Sequence, residues 1–104
     1  MLRRERQQVS VSERVSEKRQ EILQIAARHG AYNVRMFGSA ARGQAGAESD
    51  VDFLVDVGPT HSGWFPAGLV LDLEELLGRE VDVVTEDALH WYIRDQVLEE
   101  AVPL

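Results

Sequence analysis

Apolar residues recur along this chain with two different periods, and each change of period marks a change of element. Between residues 11 and 29, Val11, Val15, Ile22, Ile25, Ala26 and His29 fall near one side of a helix, and Gly30 supplies the stop that helices favour just past their end. Residues 32–37 alternate instead, with Tyr32, Val34 and Met36 to one side, which predicts a strand. Gly38-Ser39 and the small residues up to Gly43 predict a turn into a short helix, with a loop over 44–49. Residues 51–57 alternate again, with Val51, Phe53, Val55 and Val57 on one face, until Gly58-Pro59 breaks the strand. Leu69, Val70, Leu73, Leu76 and Leu77 predict an amphipathic helix over 67–77, closed by Gly78. Residues 80–84 read as a third strand. Thr85 predicts the cap of a last helix, with Glu86 and Asp87 in its first turn, running to about Ala101 before Pro103.

This order of helix, strand, short helix, strand, helix, strand, helix defines an α+β class, a small mixed sheet backed by helices. The linker between the first two strands is too long for a tight hairpin, so their relative direction stays open. A length of 104 residues argues for one domain, here 13–104, behind a polar N-terminal extension over 1–12. Hydrophobic residues at 44% and charged residues at 28% are ordinary globular values and argue against disorder. The absence of cysteine excludes disulfides, zinc-thiolate sites and thiol nucleophiles. The polar start and the lack of a long apolar run lead to the expectation of a cytoplasmic protein with no membrane segment.

The charge is unevenly spread. Residues 1–28 hold seven basic and four acidic side chains (+3), and residues 29–104 hold four and fourteen (−10), giving the net −7. An acidic body argues against direct nucleic-acid binding, which relies on Lys and Arg. It suits a site that gathers divalent cations, or a basic protein partner. The basic N-terminal stretch reads most simply as a solvated helix face.

The candidate chemistry lies in Gly38-Ser39 followed, after ten residues, by Asp50-Val51-Asp52. Side chains two apart on a strand share a face, so Asp50 and Asp52 project together while Val51 and Phe53 face the core. Two carboxylates so placed repel unless a cation lies between them, and Mg²⁺ takes hard oxygen ligands together with substrate phosphates. Gly38-Ser39, where a strand turns into a helix, can admit phosphate to backbone N–H groups and the Ser39 hydroxyl. Asp82 lies between Val81 and Val83 and points opposite to them. If the third strand lies beside the second, Asp82 joins Asp50 and Asp52, and three carboxylates with a phosphate loop suit two-metal phosphoryl transfer. Each piece has a plainer reading: a turn, a solvated strand end, an acid on a solvent face. The conjunction is what favours chemistry.

The run Phe37-Gly38-Ser39-Ala40-Ala41-Arg42-Gly43, then Ser49-Asp50-Val51-Asp52-Phe53-Leu54-Val55, resembles the signature of the minimal nucleotidyltransferases, a branch of the polymerase β-like superfamily. The resemblance extends through Leu73-Glu74-Glu75-Leu76-Leu77-Gly78-Arg79-Glu80-Val81-Asp82-Val83-Val84 to the closing residues, and covers nearly everything from about residue 15 onward. It implies a minimal nucleotidyltransferase core. Gly38 and Ser39 would hold the triphosphate of ATP, Asp50 and Asp52 would bind Mg²⁺, and Asp82 would bind metal and help deprotonate an acceptor hydroxyl. Arg42 matches the family's arginine and would neutralise phosphate charge, with a plain surface arginine as the alternative. The resemblance further implies an antitoxin that adenylylates a tyrosine of a HEPN-domain ribonuclease toxin, with a hetero-oligomer of the two as a possible assembly. Two alternatives stand beside it: a binding antitoxin that neutralises the toxin by covering it, and a transferase acting on a small molecule.

The remaining distinctive residues receive structural readings. Ser49 braces its loop, and Trp64 and Phe65 pack over the sheet edge. His29, His61 and His90 lack metal-ligand spacing. Leu71 lies off the stripe of Leu69, Leu73 and Leu76, which predicts partial exposure and a protein contact.

Overall fold

The computed structural model describes residues 10–43, 50–59 and 65–104. The loop over 44–49 with Ser49, together with His61, Trp64 and most of the N-terminal extension, lies outside the described residues. Within them the order is α1 (Val11–Glu17), α2 (Arg19–Arg28), β1 (Ala31–Phe37), α3 (Gly38–Ala41), β2 (Val51–Val57), α4 (Ala67–Leu77), β3 (Val81–Val84), a 3₁₀ turn (Glu86–Ala88), α5 (Trp91–Glu100) and β4 (Val102–Pro103). This is the mixed α+β architecture expected.

The N-terminal helical stretch is two helices rather than one. Ser10 and Glu13 form a reciprocal capping box at the start of α1, and the chain then breaks at Lys18, whose φ and ψ are −100° and 13°. The reason is a gap in the apolar stripe. One turn on from Val15 the chain offers only Lys18 and Arg19, so a straight helix has nothing to bury there. The break allows both Val15 and Ile22 to reach the core, where each is fully buried.

The sheet runs β3-β2-β1-β4. β1 and β2 are antiparallel, with Ala31 opposite Val57 and Phe37 opposite Asp52. β2 and β3 are parallel, joined through α4, with Asp52 opposite Asp82. The short β4 pairs Pro103 with Arg35 and Val102 with Met36 at the far edge. Pro103 was expected only to end a helix; it tolerates this place because an edge strand can spare an N–H.

Strand β1 departs from strict alternation. Asn33 adopts a positive φ of 51°, and the register with β2 shifts between Tyr32 and Arg35. This bulge inserts a residue, so Ala31, Val34 and Met36 are buried while Tyr32 turns out to solvent at 57% exposure. The expectation that Tyr32 shares the inner face of Val34 and Met36 is corrected accordingly. The last helix also starts later than expected. Thr85 makes no side-chain capping bond, Glu86 and Asp87 belong to the 3₁₀ turn, and extended backbone at Leu89 and His90 precedes α5.

One cluster forms the main core: Val11 and Val15 of α1, Ile22 and Ala26 of α2, Val51, Phe53 and Val55 of β2, Leu69, Leu73 and Leu77 of α4, and Val81 and Val83 of β3. Side chains of this size each contribute roughly 1.5–3 kcal/mol when fully buried. The helices α1, α2 and α4 therefore cover one face of the sheet. Asp52, Leu54 and Asp56 project from the other face of β2. Leu54 and Val97 of α5 are buried outside the main cluster. Phe65 is half-buried against the core cluster, and His29 bonds through Nε2 to Asp72 Oδ2 at 2.7 Å, tying the end of α2 to α4. Leu71 is 65% exposed, in line with its place off the stripe.

Candidate active site

The site is assembled where β1 ends and β2 and β3 begin. Phe37 pairs with Asp52, so Gly38, the next residue, turns the chain over that carboxylate. Gly38 has φ 76°, a conformation L side chains rarely adopt, and a β-carbon built there would run into the Asp52 carboxylate. Two independent constraints thus demand glycine, and α3 starts at this point with Ser39 in its first turn.

The parallel pairing places Asp82 directly beside Asp52, while Val81 and Val83 go inward. The backbone N–H of Val51 donates to Glu80 O at 3.0 Å, and that of Val81 donates to Glu74 Oε2 at 3.1 Å, which holds the two strand starts level. Asp50 stands exposed just before β2. Asp52 is half-buried, and its carboxyl is pushed above the usual range, first by burial and then by the negative charges of Asp82 and Asp50; Arg42 acts against them. The expectation that the third strand brings Asp82 to the Asp50–Asp52 pair holds geometrically.

Arg42 follows α3, and its Nη1 donates to Glu100 Oε1 of α5 at 3.0 Å. Glu100 also accepts from Gln96 Nε2 at 3.1 Å. Glu100 therefore helps to hold the arginine. Sequence reading missed this role, because nothing in helical periodicity announces a contact 58 positions away in the chain. A second network, likewise invisible to periodicity, lies farther along the same sheet face. There Arg35 pairs with Asp56 at 2.9 Å and Glu86 at 3.3 Å, and Arg94 pairs with the same Glu86 at 3.0 Å. His90 meets Tyr92 edge to face and lies tilted against Trp91 at the start of α5.

Among the described residues, no three acidic or histidine side chains form a ready-made metal cage. That suits Mg²⁺, which commonly takes one or two carboxylates and completes its shell with substrate phosphate and water. The donor set is hard oxygen throughout, and a divalent cation would offset the repulsion concentrated on Asp52. The residues present fit the ion.

A glycine turn fitted against a carboxylate, with two further acids beside it on a mixed sheet, is an arrangement suited to holding a phosphate and a divalent cation together. Comparison with known proteins makes this specific. The chain matches the nucleotidyltransferase domain family over residues 13–104 and belongs to that family. It is 39% identical over 88 residues, 85% of this chain and 95% of the other, to a Methanocaldococcus jannaschii protein that carries the name of a protein adenylyltransferase. It is likewise 39% identical over 79 residues, 76% of this chain and 80% of the other, to the protein adenylyltransferase MntA of Thermococcus cleftensis. A solved structure described as a minimal nucleotidyltransferase superposes with a TM-score of 0.79 at 46% identity, covering 89% of this chain and 95% of that one. A toxin–antitoxin crystal structure with AMP-PNP shares the fold at a TM-score of 0.68 and 21% identity, over 81% of this chain and 69% of that one. The protein is a nucleotidyltransferase of the minimal type.

Proposed function

We propose that this nucleotidyltransferase moves AMP from Mg²⁺-bound ATP to a tyrosine hydroxyl of a HEPN-domain ribonuclease toxin, and thereby acts as its antitoxin. The observation that carries the reading is the crowding of Asp50 and Asp82 around Asp52, beneath a glycine turn with room for backbone alone. Relatives named as protein adenylyltransferases supply the acceptor class. Asp50, Asp52 and Asp82 would hold the metal, which would supply charge neutralisation for the triphosphate. Gly38 and Ser39 bind the phosphates, and Arg42, steadied by Glu100, adds positive charge beside them. Asp82 takes the proton of the acceptor hydroxyl. The acceptor oxygen then forms a bond to the α-phosphorus as the bond from that phosphorus to the bridging oxygen breaks, and pyrophosphate leaves. Asp50 and Asp82 are exposed, which leaves the site open to a hydroxyl carried on another protein.

The test is incubation with Mg²⁺, α-labelled ATP and the purified toxin. Label should appear on a toxin tyrosine with wild type and not with Asp50→Asn/Asp52→Asn. Full neutralisation of the toxin by that double variant would favour the binding antitoxin instead, and label on a small molecule alone would favour the third reading.

A further inference from the structure

Helix α5 is poorly accounted for by the fold that carries it. Of its ten residues only Val97 is buried, whereas Trp91 is 79% exposed, Tyr92 67% and Ile93 38%. An isolated helix of that length is marginal in water and needs an apolar face packed against something. The rings are already arranged, with Trp91 and Tyr92 edge to face at 5.6 Å and His90 against Tyr92 at 4.4 Å. Large aromatic side chains held in this way are the usual anchors of protein interfaces.

The charges around the patch decide what it takes. Asp95 lies four residues on from Trp91 and Glu99 four beyond that, one column along the helix, and all three are exposed. Asp87 is exposed in the preceding turn, beside an open concavity of about 430 Å³ whose lining includes Tyr32, Asp87 and the Arg35-paired Asp56 and Glu86. A second copy of this chain, with net charge −7, would set acid against acid. A basic surface would be complementary. The column ends at Glu99, next to Glu100, which grips Arg42 at the end of α5 about 15 Å from the helix start.

We infer that the exposed face of α5 is the docking surface for the acceptor protein, whose complementary patch is an apolar pocket rimmed by Lys and Arg. A partner anchored on Trp91 and Tyr92 lays its acceptor segment along the acidic column toward Asp52. This rests on the reading that the acceptor is a protein toxin.

The experiment measures binding of the full chain to the purified HEPN-domain toxin by calorimetry, with Mg²⁺·ATP binding and the unfolding curve as controls. Trp91→Ala/Tyr92→Ala should weaken toxin binding by about tenfold or more and leave Mg²⁺·ATP binding unchanged. Asp95→Lys/Glu99→Lys should weaken it too and flatten its salt dependence. This pair carries the test if the aromatic double variant does not fold. Toxin binding and label transfer equal to wild type in both variants would overturn the docking surface and leave the proposed function standing. Absence of toxin binding by wild type would overturn both. Sedimentation showing a wild-type dimer that Trp91→Ala/Tyr92→Ala dissociates would assign the face to a second copy and overturn the proposal.

Discussion

Replacing Gly38 by alanine separates two kinds of strain that meet at one position. Gly38, Gly43 and Gly78 have φ of 76°, 73° and 70°, and a β-carbon meets nothing within 4 Å at the latter two. Alanine at Gly78 or Gly43 therefore costs only the left-handed backbone penalty, about 1 kcal/mol. At Gly38 the same penalty applies, and the new methyl collides with the Asp52 carboxylate. The cheapest relief is to push Asp52 off its rotamer, for roughly another 1 kcal/mol. For a domain of this size each 1 kcal/mol lowers the unfolding midpoint by about 4–8 °C. Gly38→Ala should thus unfold some 8–16 °C below wild type, and Gly78→Ala about half as far.

Thermal unfolding followed by circular dichroism reads the difference, and a double-mutant cycle isolates its cause. In an Asp52→Ala background the carboxylate is gone, so Gly38→Ala should cost no more there than Gly78→Ala does in wild type. Activity should follow geometry as well: Gly38→Ala displaces a carboxylate of the proposed metal site and should lose nucleotidyl transfer, while Gly78→Ala should retain it. Equal midpoints for the two alanine variants, with no coupling to Asp52, would refute the steric argument.

Asp52→Asn should abolish transfer and also change how stability responds to pH. Burial and the neighbouring acids raise the Asp52 pKa in the folded chain, so the folded state binds more protons than the unfolded state between the unfolded value, about 4, and the raised one. Stability is then lost as pH rises through the raised value, and the loss persists beyond it. The asparagine variant lacks this descent, so unfolding midpoints measured from pH 3 to 8 should converge with wild type at the acid end and exceed it near neutrality. Glu100→Gln should lower the transfer rate severalfold by loosening Arg42, and Arg42→Met should lower it further; steady-state label incorporation ranks them. Leu71→Ser removes an exposed side chain and should shift the urea midpoint by an amount equivalent to less than about 0.5 kcal/mol.

Local signals carried much of this fold. Gly78 at φ 70° ends α4 where a glycine stop was read, and Val51, Phe53 and Val55 face inward as their alternation requires. What local signals missed came from two sources. The bulge at Asn33 and the break at Lys18 arise because the core accepts only some of the apolar residues a period offers. Tyr32 is turned away, and Lys18 and Arg19 leave a gap. Pairings distant in sequence, such as Arg42 with Glu100 and Arg35 with Glu86, depend on topology and leave no periodic trace.

The site itself lies between these cases. The spacing of Asp50 and Asp52 is local, and so is the outward direction of Asp82. Their meeting is not local, because it requires β2 and β3 to be parallel neighbours in register. A one-residue slip of β3 would send Asp82 into the core and Val81 and Val83 to the site face. The register is held from both sides. Val81 and Val83 are buried in the main cluster, and the bonds from Val51 N–H to Glu80 and from Val81 N–H to Glu74 align the strand starts. The apolar face of the sheet thereby dictates the acidic one. Valines on one side fix where carboxylates gather on the other, which is why an acid flanked by valines carried information that an isolated acid would not.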